Sequence, residues 1–112
     1  MLKTYIPSLM ERTPINDPAM GKMLKVLGSS RAREILFRIM HNSKPVVATS
    51  LAKELCLTDA AVCQHLRKLE DAGLICRHEQ KTQNGFVMII EPQTAVLRER
   101  LLSIVSHIDT EL

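Results

Sequence analysis

The chain has 112 residues, of which 46% are hydrophobic, but it contains only three aromatic residues and no tryptophan. This length fits one domain, whose core must come from aliphatic side chains, methionine and alanine, a composition that favours helices. No stretch approaches the roughly 18 consecutive apolar residues of a membrane span, and the three cysteines lack paired spacing, so we expect a cytoplasmic protein with free thiols and no disulfide framework. The net charge of +3 conceals a basic excess in residues 21–49, where six basic side chains accompany one acidic side chain. Such an excess is typical either of a nucleic-acid-binding protein or of an ordinary solvated helix face.

The first helix is predicted to begin at Pro18. The preceding residues, 1–17, show no sustained period and are interpreted as an N-terminal arm, so the folded domain is predicted over residues 18–112. Asp17 is a suitable cap for a helix with proline at its first position. Gly28 is expected to end this helix.

Two more helices are predicted before residue 56. Ser29 or Ser30 is expected to cap the second helix, and Pro45 bars its continuation. Thr49 or Ser50 is expected to open a third, short helix.

A longer helix and a hairpin follow. Thr58 is expected to cap a helix over about residues 58–72, which Gly73 ends. A strand beginning at residue 74 and a returning strand at 86–90 flank a polar turn predicted at Lys81–Gly85, where Asn-Gly is a strong hairpin signal.

The last segment, from about residue 93, carries a helical stripe of large apolar residues. The stripe comprises Leu97, Leu101, Ile104, Val105, Ile108 and Leu112. The predicted fold is therefore mainly α with one small β-hairpin, in the order helix, helix, helix, helix, hairpin, helix.

Two helices joined by a tight turn and followed by a hairpin form the winged helix-turn-helix layout. Leu51 and Leu55 of the third helix are expected to pack on the apolar side of the fourth, and Ala52 must be small because the two helices cross there. That packing sets the angle at which the fourth helix projects. Its polar side would then be exposed and carries Asp59, Ala60, Cys63, Gln64, Arg67 and Lys68.

The stretch LAKELCLTDAAVCQHLRKLEDAGLI, residues 51–75, resembles the helix-turn-helix of the ArsR family of bacterial and archaeal regulators. The family pattern LA..L.LS...VS.HL..L..AGLV is matched at eleven positions, with Thr58 in place of Ser and Ile75 in place of Val. Residues 27–36 also resemble the preceding helix of archaeal ArsR-like proteins. The resemblance covers residues 20–90, and part of the pattern is shared with the MarR family.

This resemblance implies a transcription regulator, and we expect a repressor. Its fourth helix would lie in the major groove of double-stranded DNA, and its wing, about residues 74–90, would lie on the backbone. Gln64 is the strongest candidate base reader, because a glutamine amide bonds adenine bidentately. The implied base contacts are Ala60, Cys63, Gln64 and His65. The implied phosphate contacts are Thr58, Arg67, Lys68, Lys81 and Asn84.

The family's metal sites are not reproduced. Val47 and Thr49 stand where the commonest family site has a Cys-x-Cys pair. On the last helix, His107 offers one imidazole with a neighbouring carboxylate at residue 109 or 111, fewer than the four ligands zinc usually takes. We therefore expect no tightly bound metal and no cofactor. Cys63 is interpreted either as a redox-sensitive thiol or as a small hydrophobic residue.

A homodimer through the first and last helices is also predicted, because two apolar stripes exceed what the helix-turn-helix core requires. The expected interface comprises Met20, Met23, Leu24, Leu27, Leu97, Leu101, Ile104, Val105 and Ile108. An enzyme is not expected, since the sequence lacks a Gly-rich phosphate loop and a nucleophile elbow. The alternative is a winged-helix module that docks proteins without binding DNA.

Overall fold

A computed structural model describes residues 14–110 of the chain. Five helices are present in this range: α1 (Pro18–Leu27), α2 (Ser30–Met40), α3 (Ala48–Glu54), α4 (Asp59–Asp71) and α5 (Thr94–Thr110). Three strands accompany them: β1 (Val46–Val47), β2 (Ile75–Thr82) and β3 (Gly85–Pro92). Most of the predicted N-terminal arm, and the predicted stripe position Leu112, lie outside the described residues.

Side chains cap three of the helices as predicted. The Asp17 carboxylate accepts a hydrogen bond from the backbone N–H of residue 19 at 2.8 Å. Ser29 Oγ accepts from the N–H of residue 32 at 3.2 Å, and Thr58 Oγ1 accepts from the N–H of residue 61 at 3.1 Å. Each cap satisfies one of the donors that the first helical turn leaves without a partner.

The predicted start of α3 was wrong. Neither Thr49 nor Ser50 caps this helix; it begins at Ala48, after Val47, and has no side-chain cap. The reason is that Val46 and Val47 form β1, so the chain passes directly from a strand into the helix.

The sheet has three antiparallel strands in the order β1-β3-β2, where two were predicted. Val46 pairs with Ile90 of β3, and a strand of two residues is too short to show a period in the sequence. The predicted hairpin is confirmed: β2 and β3 pair from Ile75 opposite Pro92 to Thr82 opposite Gly85, so only two residues form the turn. The Thr82 hydroxyl donates to the carbonyl of Gly85 and accepts from the N–H of Asn84. These two hydrogen bonds stabilise the turn.

One apolar core joins α1 to α4 and the inner part of the sheet. Its fully buried large apolar side chains come from four helices, from β3 and from the residue just before β2. Each is under 2% exposed: Met20, Met23, Ile35, Leu36, Ile39, Leu51, Val62, Leu66, Leu69, Leu74 and Ile90. α5 joins this core through Leu97.

Three of the predicted dimer contacts belong to this core, and that part of the interface prediction was wrong. Met20 and Met23 are completely buried within the single chain, and Leu97 is 4% exposed. Met20 and Met23 face inward because α1 packs against α2 and α4, and Leu97 of α5 is part of the same core. These side chains therefore present no surface to a second molecule. Among residues 14–110, no helix is long and apolar enough to cross a membrane.

Candidate nucleic-acid interface

The turn between α3 and α4 fixes the direction of α4. Leu55 ends α3, and Cys56 adopts a left-handed backbone conformation with φ of 55°. The N–H of Leu57 then donates to the carbonyl of Ala52 at 3.0 Å, which closes the turn. Ala52 is 2% exposed, consistent with the expectation that a small residue is needed where α3 and α4 cross.

One side of α4 is buried and the other is open. Val62, Leu66 and Leu69 are each at most 1% exposed and anchor the helix to the core. The opposite side holds the residues that the resemblance assigned to DNA. Of these, Thr58, Ala60, Gln64, Arg67 and Lys68 are exposed, whereas Cys63 and His65 are half-buried at the two flanks.

The acidic side chains near the end of α4 are paired with cations from neighbouring elements. Glu70 Oε1 accepts a hydrogen bond from Arg77 Nη2 of β2 at 2.9 Å, and Asp71 lies 3.5 Å from Lys22 Nζ of α1. No ion pair within the described part of the chain involves Arg67 or Lys68. The open side of α4 therefore keeps its positive charges, while two of its carboxylates are neutralised locally.

The Glu70–Arg77 contact is electrostatically the most distinctive in this region. The hydrogen bond from Arg77 lowers the pKa of Glu70 below its usual value of 4.5, against a smaller opposing effect of burial. The same hydrogen bond raises the pKa of Arg77, with a minor electrostatic contribution from Cys63. The pair ties the last turn of α4 to the base of the wing, so the helix and the wing are held in a defined relation.

The hairpin is buried at its base and exposed at its tip. Ile75, Ile89 and Ile90 near the base are at most 6% exposed, whereas every residue from 78 to 86 is exposed. Lys81 and Asn84, both predicted to contact DNA, lie at this tip. Phe86, which the sequence reasoning did not single out, pairs with Lys81 across the hairpin and is 68% exposed.

A second contact links the end of α4 to α5. Gly73 ends α4 with φ of 77°, a left-handed conformation that favours glycine. Arg100 of α5 donates to the carbonyl of Ala72 at 2.5 Å, and its guanidinium lies where a side chain at residue 73 would project, 3.3 Å from an ideal Cβ position. Arg100 thus supplies a cation at the negative end of the α4 dipole.

An apolar face remains open on α5. Leu101, Val105 and Ile108 are 42%, 48% and 57% exposed, and Leu24 of α1 is 49% exposed. Two other predicted interface residues, Leu27 and Ile104, are partly buried and pack against the core. Four of the nine predicted interface residues are therefore substantially accessible to another molecule.

The cysteines and metal-ligating residues do not converge. Cys56 and Cys76 are exposed, Cys63 is half-buried, and all three are free thiols. Within residues 14–110, no three side chains of His, Cys, Asp or Glu are placed to hold a metal ion. Residues 109 and 111 carry the carboxylates that were predicted to accompany His107. The side chain of residue 109 and the whole of residue 111 lie outside the described part of the chain.

The sequence and the fold both match known regulators. Residues 29–76, from the start of α2 to the second residue of β2, match the family described as bacterial regulatory protein, arsR family. Over this stretch the sequence is similar to ArsR-family regulators, and the fold is that of an ArsR-like winged helix-turn-helix. Among curated proteins, none matches the sequence.

Three solved structures illustrate the similarity. An ArsR family transcriptional regulator is 25% identical, with a TM-score of 0.58 over 70% of this chain and 85% of that one. An ArsR-like transcriptional regulator from Rhodococcus sp. RHA1 is 22% identical, with a TM-score of 0.64 over 83% and 81% of the two chains. A possible transcriptional regulator from Methanosarcina mazei Go1 is 15% identical, with a TM-score of 0.60 over 84% and 82%.

Proposed function

We propose that this protein is a cytoplasmic repressor that binds a specific double-stranded DNA sequence as a homodimer. In this proposal α4 enters the major groove and the β2–β3 hairpin follows the backbone. Binding would repress transcription where the DNA site overlaps a promoter, because the bound dimer excludes the polymerase.

The observation that carries this proposal is the arrangement of charge on α4. DNA repels carboxylates, and the two near the end of the helix, Glu70 and Asp71, are each paired with a cation. Arg67 and Lys68 stay available for phosphates. The remaining carboxylate, Asp59, is in the first turn, where the helix dipole stabilises negative charge.

Gln64 is the proposed base reader. An α-helix is about 10–12 Å across, which suits the major groove of B-form DNA. Gln64 is exposed on the side of α4 opposite the core and carries an amide that recognises adenine bidentately. Ala60 is small enough to allow close approach of a base pair, and the half-buried Cys63 and His65 would make flanking contacts.

The wing would contribute both charge and an apolar contact. Lys81 and Asn84 are exposed at its tip and suit phosphate oxygens. Phe86 lies beside Lys81, and apolar side chains at such positions pack against sugars or wedge into the minor groove. Contact with DNA would remove this ring from water.

The open apolar face of α5 supports the homodimer. Pairing Leu101, Val105 and Ile108 with their counterparts across a twofold axis would bury side chains that are now about half exposed. Exposed apolar side chains in a contiguous row mark an interaction site. A twofold dimer would present two copies of α4 to successive turns of the same DNA face, about 34–36 Å apart.

Selection of duplexes from a random library tests the proposal. We expect enrichment of an inverted repeat whose half-sites are one helical turn apart, and binding that weakens linearly with the logarithm of salt concentration. Recovery of no sequence, together with no salt-dependent binding of random duplex, would contradict it. The protein-docking alternative would then be the better description.

A further inference from the structure

A cleft opens at the surface where α4 meets the first two helices. It is lined by α1, by the beginning of α2 and by α4, and its volume is about 430 Å³. Pockets for small molecules in proteins usually have volumes of about 300–1,000 Å³. The cleft is therefore large enough for a compact ligand.

Positive charge predominates around the cleft. Lys22 and Lys25 of α1 lie on one side, and Lys68 lies on the other side together with the half-buried His65. The only carboxylate among the lining residues is Asp71, which is 3.5 Å from Lys22 Nζ. Three lysines and one aspartate leave two net positive charges even when His65 is neutral, and a concave surface concentrates the field of such charges.

The start of α2 adds to this field. Ser29, which lines the cleft, is the cap residue of α2, and the first turn of this helix contains no acidic residue. The amino terminus of a helix carries a partial positive charge and directs backbone N–H groups outward. These groups would face an anion that the lysines attract.

The inner surface of the cleft is apolar. Val26 and Ala32 line it and are 7% and 1% exposed, so both are fixed parts of the core. A small inorganic anion would contact the cations alone, whereas most of the apolar surface that is still exposed to solvent here belongs to the aliphatic stems of the lysines. An anion that also carries a compact apolar group would cover both.

We propose that this cleft binds a small organic anion, a phosphate monoester or carboxylate with a compact apolar group, and that this ligand lowers the affinity for DNA. The anionic group is held by Lys22, Lys25 and Lys68, and the apolar group lies on Val26 and Ala32. The effect on DNA rests on the function proposed above. A ligand that neutralises Lys68 removes a phosphate contact from α4, and by linkage DNA weakens ligand binding by the same factor.

The binding step is tested on the protein alone, with phenyl phosphate as the probe. In titrations followed by amide NMR, we expect shifts concentrated at residues 22–32 and 65–71. Inorganic phosphate should bind more weakly, because it lacks the apolar group. Replacing Lys22 and Lys25 by Gln should weaken phenyl phosphate binding about tenfold, the effect of losing charge-assisted hydrogen bonds.

A matched control replaces Lys44 and Lys53, two exposed lysines that do not line the cleft, by Gln. This variant has the same net charge as the cleft variant. Because it keeps the lysines of the cleft, it should bind phenyl phosphate like the wild type. Equal losses in the two variants, or shifts spread over all basic surfaces, would overturn the proposal, because they would mean that only overall charge attracts the probe.

The regulatory step is tested with a labelled duplex at constant ionic strength. Phenyl phosphate should weaken DNA binding by the wild type and by the Lys44/Lys53 control, but hardly by the cleft variant. If the cleft variant loses DNA affinity while no variant binds phenyl phosphate, the cleft is a backbone contact and the proposal is wrong. If the protein binds phenyl phosphate but no duplex, the proposed function and the regulatory step both fail, and the ligand site stands.

Discussion

The helices α4 and α5 carry similar apolar stripes, but the stripe of α4 is buried whereas much of the stripe of α5 is exposed. In α4, Val62, Leu66 and Leu69 are at most 1% exposed, so the stripe is the buried face of the helix. In α5, Leu101 and Ile108 are 42% and 57% exposed. An amphipathic pattern therefore indicates which side of a helix avoids water, but it does not indicate whether the chain itself covers that side.

The buried side of α5 contains small polar residues. Ser103 and Ser106 are almost completely buried, and the Ser103 hydroxyl donates to Glu99 Oε1 within the helix at 3.2 Å. A buried hydroxyl with a partner in its own helix carries little desolvation cost. Small serines thus occupy part of the buried side of α5, whereas Leu101 and Ile108 lie on its exposed side.

The sharpest test of this difference replaces a leucine by alanine in each helix. Leu66→Ala should lower the free energy of unfolding by about 2–5 kcal/mol, because it opens a cavity at a completely buried position. Leu101→Ala, measured on dilute protein in urea, should cost less than about 1 kcal/mol, because its side chain is already partly exposed. Comparable losses in the two variants at low concentration would mean that the α5 stripe is covered within a single chain.

Charge on the open face of α5 should separate the proposed dimer. Leu101→Glu combined with Ile108→Glu places like charges across the interface, and we expect monomers in sedimentation velocity. Binding to a duplex with two half-sites should fall at least about 100-fold, because the advantage of linked binding is lost. A control with Glu at the exposed Asn42 and Ser43 adds the same charge elsewhere and should remain dimeric. Wild-type protein that sediments as a monomer at micromolar concentration would contradict the dimer.

On the open side of α4, the contrast is between a base reader and a phosphate contact. Gln64→Ala should cost about 1–3 kcal/mol on the selected duplex and little on random duplex. Arg67→Gln should weaken both alike and lower the salt slope by about one unit. Fluorescence anisotropy at several salt concentrations measures both quantities. If Gln64→Ala weakens random duplex equally, Gln64 does not read bases.

The smallest expected effect concerns the ion pair at the edge of α4. The pKa of Glu70 is lowered in the folded protein, chiefly by the hydrogen bond from Arg77, so the pair stabilises the fold above the usual pKa of 4.5 and this contribution is lost as the pH falls through the lowered value. Glu70→Gln should cost about 0.5–1 kcal/mol at pH 7, a small value because the glutamate side chain is 38% exposed.

Urea unfolding at pH 7 and at pH 3 measures this difference, which should shrink at the lower pH. Glu34→Gln removes the exposed pair with Arg31 and serves as the control. A difference between wild type and Glu70→Gln that is unchanged at pH 3 would show that the ion pair is not its cause.

Local signals in the sequence predicted most of the fold. The caps Asp17, Ser29 and Thr58 and the hairpin turn were predicted correctly, because each depends on residues adjacent in the chain. The strand β1 was missed, because Val46 is recognisable as a strand residue only through its partner in β3, more than forty residues away.

The candidate site was predicted less completely. A family resemblance located α4 and its exposed residues, but it could not show that Glu70 is paired with Arg77 or that His65 lines a cleft with α1. Both contacts join distant segments. One signal in the sequence could have identified Phe86, because it is an aromatic residue directly after a predicted Asn-Gly turn. The tip of a hairpin has no core in which such a side chain could be buried.

In the proposed dimer, the contact between Arg100 and the end of α4 would couple assembly to DNA recognition. The guanidinium reaches the Ala72 carbonyl from α5, the helix whose outer face is open to a partner. It lies against Gly73, where a side chain would crowd it. A partner that rotates or shifts α5 therefore pulls on the last turn of α4. In the proposed complex, the angle of α4 in the groove would then be a property of the dimer as a whole, adjustable from a surface that does not contact DNA.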